Sequence, residues 1–167
     1  MKFNVPEPTI DETRNAINAL LSDDAEKNVV TTGGDTARSY AVLISGGYNI
    51  GNNHTRYWGD VAAVYGTLTK KYGIPKSNIR VCVSDGTSSA ADVSTGYDSS
   101  SHSLFSGNSS PLDLDGDGSA DVGYSATKSS VQSVFSSLRN SLTASDQLFV
   151  FVTDHGDQDE DTGVCSL

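Results

Sequence analysis

The sequence predicts an α/β chain built on a mostly parallel sheet. Three short apolar runs, "YAVLIS" at 40–45, "IRVCVS" at 79–84 and "LFVFVT" at 148–153, are rich in β-branched and aromatic residues. The first and third are apolar almost throughout, as strands covered on both faces are. Amphipathic helical patterns lie between them, giving the order strand, helix, strand, long loop, helix, strand. In such sheets, ligands gather at the carboxyl ends of the strands.

An N-terminal helix is expected to start at Thr9, with Glu12 completing a capping box and Ile10, Ile17, Leu20 and Leu21 forming its apolar side. "TTGGDTARS" is then a linker, so residues 1–38 read as helix and linker and 39–167 as the main domain. After the first strand, Tyr57, Val61, Val64, Tyr65, Leu68 and Tyr72 recur at spacings of three and four, making one apolar stripe. Gly73 and Pro75 end that helix. No stable element is expected in the Ser-, Gly- and Asp-rich stretch 85–111. Val131, Val134, Phe135, Leu138 and Leu142 form the last stripe, starting near Thr127 or Ser129, and Ser129 with Gln132 fits a capping box.

The chain has 167 residues, enough for one domain with a core, although only 36% are hydrophobic. Its 21 acidic and 11 basic side chains give a formal net charge of −10. A nucleic-acid binder needs a basic patch, and the sequence has none. Nor does it favour a membrane role: no apolar stretch approaches the roughly 20 residues that span a bilayer. "MKFNVPEPTIDET" lacks the apolar run of a signal peptide. Two cysteines, Cys82 and Cys165, are too few for a disulfide framework, and no CxxC pattern is present. Cys82, inside an apolar run, reads as a small core residue.

"DLDGDGSAD", residues 113–121, alternates carboxylates with turning glycines. Asp113, Asp115 and Asp117 would offer side-chain oxygens to one hard cation, Ser119 its carbonyl, and Asp121 would close the ring. Position 12 of the loop is Tyr124, where an EF-hand has Glu, so the expectation is a shorter calcium loop. Structural calcium would pin the end of the long loop. This loop and the acidic, Ser-rich composition point to an extracellular or cell-envelope location.

His155 follows Asp154 at the tip of the third strand, where an imidazole can sit in a cleft and transfer protons. "FVFVTDHG", preceded by the "SATKSSVQSVFSSL" helix, resembles the His motif of the legumain-like cysteine peptidases. "YAVLISGGYNIGNNHTRYWGDVAAVYGTLTKKYGIPKSNIRVCVSD" resembles that family's first strand, substrate loop, helix and second strand, including the Arg-x-x-x-Asp-Val spacing and a Tyr five residues after Asp60. The resemblance covers about residues 39–156.

It implies a caspase-like three-layer sandwich, incomplete at the C-terminus, and thiol peptidase chemistry on a peptide or protein substrate. His155 would be the catalytic histidine, and the amide of Gly156 would help hold the oxyanion. Arg56 would line the pocket for the residue before the scissile bond, alongside Asp154, and a guanidinium fork suits Asn or Asp there. Tyr57 stands where the family often has His, and His54, beside Asn53, takes the place of the third catalytic polar residue. His102, in the Ser-rich loop, reads as incidental.

In the family the nucleophilic cysteine follows a further strand, a few dozen residues after the His, in an Ala-Cys-x-Ser-Gly-like stretch. Cys165 comes ten residues after His155, without that strand or context. The expected partner is therefore a C-terminal segment carrying the nucleophile, separated by autoprocessing or other cleavage. Without it the piece would be inactive, and its open sheet edge would favour a homo-oligomer. The rival reading is a calcium-stabilised binding or adhesion module in which His155 is structural.

Overall fold

A computed structural model describes residues 9–25, 36–46, 50–94, 97–98, 103–104, 107–154, 157–158 and 165–166. Helix α1 (Ile10–Ala25) leads to strand β1 (Ser39–Ser45), helix α2 (Thr55–Gly66) and strand β2 (Ile79–Val83). Two-residue strands β3 (Val93–Ser94), β4 (Tyr97–Asp98), β5 (Ser103–Leu104) and β6 (Gly107–Asn108) follow. Helix α3 (Lys128–Ser141), strand β7 (Gln147–Thr153) and the short β8 (Asp157–Gln158) and β9 (Cys165–Ser166) complete the order.

The main sheet has three strands in the order β2-β1-β7. Both pairings are parallel, Ala41 opposite Ile79 and Phe149, Ser45 opposite Val83 and Thr153. The three carboxyl ends therefore lie side by side, as the sequence predicts. Helices cover both faces. Ala41, Leu43, Val81 and Val83 pack with Trp58, Val61 and Tyr65 of α2, while Val42 and Cys82 pack with Val134 and Leu138 of α3. Alternating side chains of β1 thus enter two different cores, which is why its sequence is apolar without a break.

Strand β7 departs from expectation. Its sequence reads as buried on both faces, yet Leu148, Phe149, Val150 and Val152 are 40–45% exposed. It is the edge of the sheet, and among the described residues no strand pairs with its outer side.

Helix α1 has the expected capping box: the Thr9 amide donates to Glu12 Oε2 at 2.8 Å and the Glu12 amide to Thr9 Oγ1 at 3.2 Å. It packs against the main core. Ile10 and Ile17 reach the core, and α1 lies so close to α2 that a Cβ on Gly59 would be 2.8 Å from Thr13 Cγ2 and one on Gly66 2.6 Å from Leu21 Cδ1. Leu20, expected on the apolar side, is instead 71% exposed, because the face that meets α2 is that of Thr13, Ile17 and Leu21.

On α2 the apolar stripe holds as far as Leu68, and Trp58, outside the stripe, is also fully buried with its indole N–H on the Pro111 carbonyl at 3.0 Å. A π-helical turn, Thr67–Lys71, then inserts extra backbone per turn. The stripe rotates away and leaves Tyr72 54% exposed. Gly73 at φ +68° reverses the chain, with the Ile74 amide on the Leu68 carbonyl at 3.0 Å. At α3 the cap is Thr127, whose hydroxyl accepts from the Ser130 amide, in place of the expected Ser129–Gln132 box.

The stretch 85–111 is not wholly without structure. β3 pairs antiparallel with β6, and β4 with β5. Their polar sequences carry no period-two apolar signal, so nothing in the pattern announces them. A buried Asp92 closes the base of this hairpin, accepting from the Ser110 amide at 2.5 Å and hydroxyl at 2.7 Å.

Candidate functional site

The strand order reverses about β1: the chain leaves β1 for β2 on one side and returns to β7 on the other. A crevice at the carboxyl ends is the usual ligand position in such a sheet. Three features converge there. Gly46 follows β1, and a Cβ on it would lie 2.7 Å from Asp154 Oδ2, just beyond β7. The Thr153 hydroxyl, at the tip of β7, donates to Asp60 Oδ2 of α2 at 3.1 Å. The hairpin is moored beside the start of α2, with the Ser94 amide on the Asn53 carbonyl at 2.8 Å and the Thr55 hydroxyl on the Ser94 carbonyl at 3.1 Å.

Arg56 occupies the first turn of α2 and is exposed. Its guanidinium carbon sits 4.8 Å from the centroid of the Tyr57 ring, and Nη2 donates to the Tyr57 hydroxyl at 3.1 Å. Tyr57, where the resembled family often has His, thus orients the arginine through its ring face and its hydroxyl. Arg56 and Asp60 are four residues apart, one helical turn along the same side of α2. The helix face carrying Arg56 therefore reaches the tip of β7 through Asp60.

His54 precedes α2 in an extended conformation, its carbonyl accepting from the Tyr57 amide at 3.0 Å. Its ring stands edge-on to Tyr57 at 5.9 Å between centroids. His54, Arg56 and Tyr57 form one cluster. Asp154 lies at the neighbouring strand tips. His155, Gly156 and His102 lie outside the described residues.

Two neighbours have structural roles that the sequence pattern does not announce. Asn53 is buried and donates to the Asp92 carbonyl at 2.6 Å and to the Ser84 hydroxyl, joining the loop after β1 to that after β2. Ser84 holds φ +43°, a left-handed conformation that only Gly adopts easily. No residue type announces this in the sequence; Gly86 at φ +77° is the only visible sign of the turn.

Cys82 is buried and its thiol is pushed up to about 11 by burial, so it is a core residue and a poor nucleophile. Cys165 lies in β9, opposite Gln158 in β8.

The acidic loop forms a second cluster. Asp113, Asp115 and Asp117 each turn one oxygen toward the others, all within 4.8 Å. Lys76 reaches in from before β2, its Nζ 2.9 Å from Asp115 Oδ2, 2.6 Å from Asp117 Oδ2 and 3.6 Å from Asp121 Oδ1. Burial opposes the ammonium, but hydrogen bonds to Asp115 and Asp117 outweigh it and hold Lys76 charged above the usual lysine range. Asp113 accepts from the Gly116 and Gly118 amides, which overcome its burial and keep its carboxyl below the ordinary range. Asp121, expected to close the ring, is held from outside: Oδ1 accepts from the Tyr65 hydroxyl at 2.5 Å and Oδ2 from the Leu114 amide at 2.9 Å. Burial, then the bond to Asp121, raises the Tyr65 phenol above its usual range. Ser119 is exposed, its amide on Asp117 Oδ1 at 2.8 Å.

Among the described residues, no helix is long and apolar enough to cross a membrane. No protein-family model matches the chain, and no curated protein or solved structure does either.

Proposed function

We propose that this chain is the N-terminal part of the catalytic domain of a legumain-like cysteine endopeptidase with a caspase-like sandwich, cleaving after Asn or Asp. The reading rests on the resemblance of two sequence blocks. The observation that carries it is the Thr153–Asp60 hydrogen bond, which joins the helix bearing Arg56 to the strand that leads into His155. Residues of the two blocks, Thr153 and Asp60, are thus in contact at the tip of β7, which supports the reading.

In the proposed mechanism, the substrate side chain lies against the Arg56 guanidinium, which offers a planar pair of donors to a carboxamide or carboxylate. A cysteine thiolate attacks the peptide carbonyl, forming a C–S bond, and the oxyanion is held by backbone N–H groups including that of Gly156. As the C–N bond breaks, the His155 imidazolium gives its proton to the leaving amine. Water, deprotonated by the same imidazole, then hydrolyses the thioester. Cys82 is unsuited to the nucleophile's role, because it is buried in the α3-side core. In this reading the nucleophile belongs on a further strand that would pair with the outer edge of β7. The exposure of Leu148, Val150 and Val152 on one face and Phe149 on the other supports an added strand with its own covering elements.

The test is made on the product of the complete gene, with fluorogenic peptides carrying Asn or Asp before the scissile bond. Turnover is expected, with His155→Ala lowering kcat by at least about 10³-fold, the scale of a lost general acid–base in a nucleophilic site. Full turnover in His155→Ala removes that residue from the mechanism. No turnover in the wild-type product favours the calcium-stabilised binding module.

A further inference from the structure

The acidic loop has more negative charge than its neighbours neutralise. Three carboxylates, Asp115, Asp117 and Asp121, lie within 4 Å of the Lys76 ammonium, and Asp113 adds a fourth beside Asp115 and Asp117. Arg14, the other nearby cation, pairs with Asp11 and donates to the Asp113 backbone carbonyl. One carboxylate oxygen stands out. The Asp115 side chain is only 7% exposed, its Oδ2 faces Lys76, and its Oδ1 is buried with no hydrogen-bond partner. Leaving such an oxygen unsatisfied is costly, because it has given up its water without gaining a partner.

The spacing suits one kind of ion. Oxygens bound to a single calcium ion at about 2.4 Å can lie up to about 4.8 Å apart. The oxygens of Asp113, Asp115 and Asp117 meet that limit without rearrangement. The Lys76 ammonium, however, lies within 2.9 Å of two of these carboxylates. A divalent ion among the same carboxylates would sit about 3–4 Å from it, where like charges repel strongly even in a watery dielectric. The Lys76 side chain is 41% exposed, so its flexible stem has solvent to move into.

We infer that residues 113–117 bind a calcium-type divalent cation in exchange for the Lys76 ammonium. Asp115 Oδ1 gains its missing partner, and Lys76 swings out to solvent. The Tyr65–Asp121 bond carries the consequence to α2, the helix that also bears Arg56. This inference is independent of the peptidase reading.

The experiment uses this chain after chelator treatment, titrated with calcium chloride by calorimetry and thermal unfolding. Terbium serves as a second probe: Lys76 Nζ lies 5.7 Å from the Tyr65 ring centroid, so a lanthanide there is excited through that ring. Calcium at 100 times its Kd is expected to raise the unfolding midpoint by roughly 5–10 °C. Lys76→Gln, which removes the competing charge, should tighten calcium binding at least about tenfold. Asp115→Asn and the more exposed Asp117→Asn should each abolish tyrosine-sensitised terbium emission at concentrations that saturate the wild type. Three results overturn the inference: no calcium binding at millimolar concentration by wild type or Lys76→Gln; unchanged affinity in both aspartate variants; or binding no tighter in Lys76→Gln.

Discussion

The hydroxyl of Thr153, at the end of β7, donates to the carboxylate of Asp60, on α2, at 3.1 Å. The two residues are 93 positions apart in the chain, and their contact joins α2 to the tip of β7. It is exposed to solvent, so its weight in global stability is small. Asp60→Ala should lower unfolding free energy by about 1 kcal/mol or less, while amide exchange at Thr153 and Asp154 accelerates well beyond that at β1. Uniform acceleration across the sheet would show that the bond does not brace the strand tip locally.

The exposed edge of β7 should make this chain associate with itself. Four apolar residues there are 40–45% exposed beside a strand edge that no strand among the described residues pairs with, the arrangement that promotes strand-to-strand pairing. Sedimentation velocity at rising concentration should show dimers or larger species, and Val150→Lys should return the chain to a monomer with little change in melting temperature. A wild-type chain that stays monomeric throughout contradicts this.

Gly86 should be intolerant of a side chain for two separable reasons. Its φ of +77° is unfavourable for L-residues, and a Cβ there would lie 2.6 Å from the Ser125 amide nitrogen. Gly118, at φ +88°, has nothing within 4 Å and carries the conformational penalty alone. Gly118→Ala should therefore cost about 1–2 kcal/mol. Gly86→Ala should cost more, because backbone must move. Urea denaturation measures both, and equal losses would deny the steric part.

Acid should loosen α1 through its cap. Hydrogen bonds from the Thr9 backbone and then its side chain hold the Glu12 carboxyl below the ordinary glutamate range. A carboxylate whose folded pKa is depressed stabilises the fold above its unfolded value, and that stabilisation fades as pH falls through the folded value. Helical circular dichroism should thus drop over the acid side of the glutamate range in the wild type. Glu12→Gln should show a smaller helical signal at neutral pH and a flatter acid limb. Identical acid limbs would mean that this carboxylate is not the titrating group.

Much of the scaffold was legible because its signals are local. The runs at 40–45, 79–84 and 148–153 fall within one residue of β1, β2 and β7 at every end, and the Thr9–Glu12 box forms as read. What the pattern missed depends on partners distant in sequence. Tyr72 left the apolar stripe because of a π-helical turn, which alters the period without a residue signature. Leu20 is exposed because α2 chose the other side of α1. An edge strand and a central strand can have equally apolar sequences, so β7 looked like β1. At the acidic loop the carboxylate spacing was visible, but Lys76 lies 37 residues before Asp113, and only the fold brings the two together. The hairpin of residues 93–108 rests on Asp92, Ser110 and Asn53, polar residues whose burial leaves no hydropathy signal.

The central claim is that Arg56 and His155 share one rim, and a distance between them tests it most directly. Spin labels at Arg56→Cys and His155→Cys, with Cys165 replaced by Ser and the buried Cys82 left in place, report it by pulsed electron resonance. The account predicts a single narrow distribution well under half the molecular diameter, which for a chain of this size is about 30–40 Å. A distribution centred near the full diameter would put the two residues on opposite sides and contradict the peptidase reading.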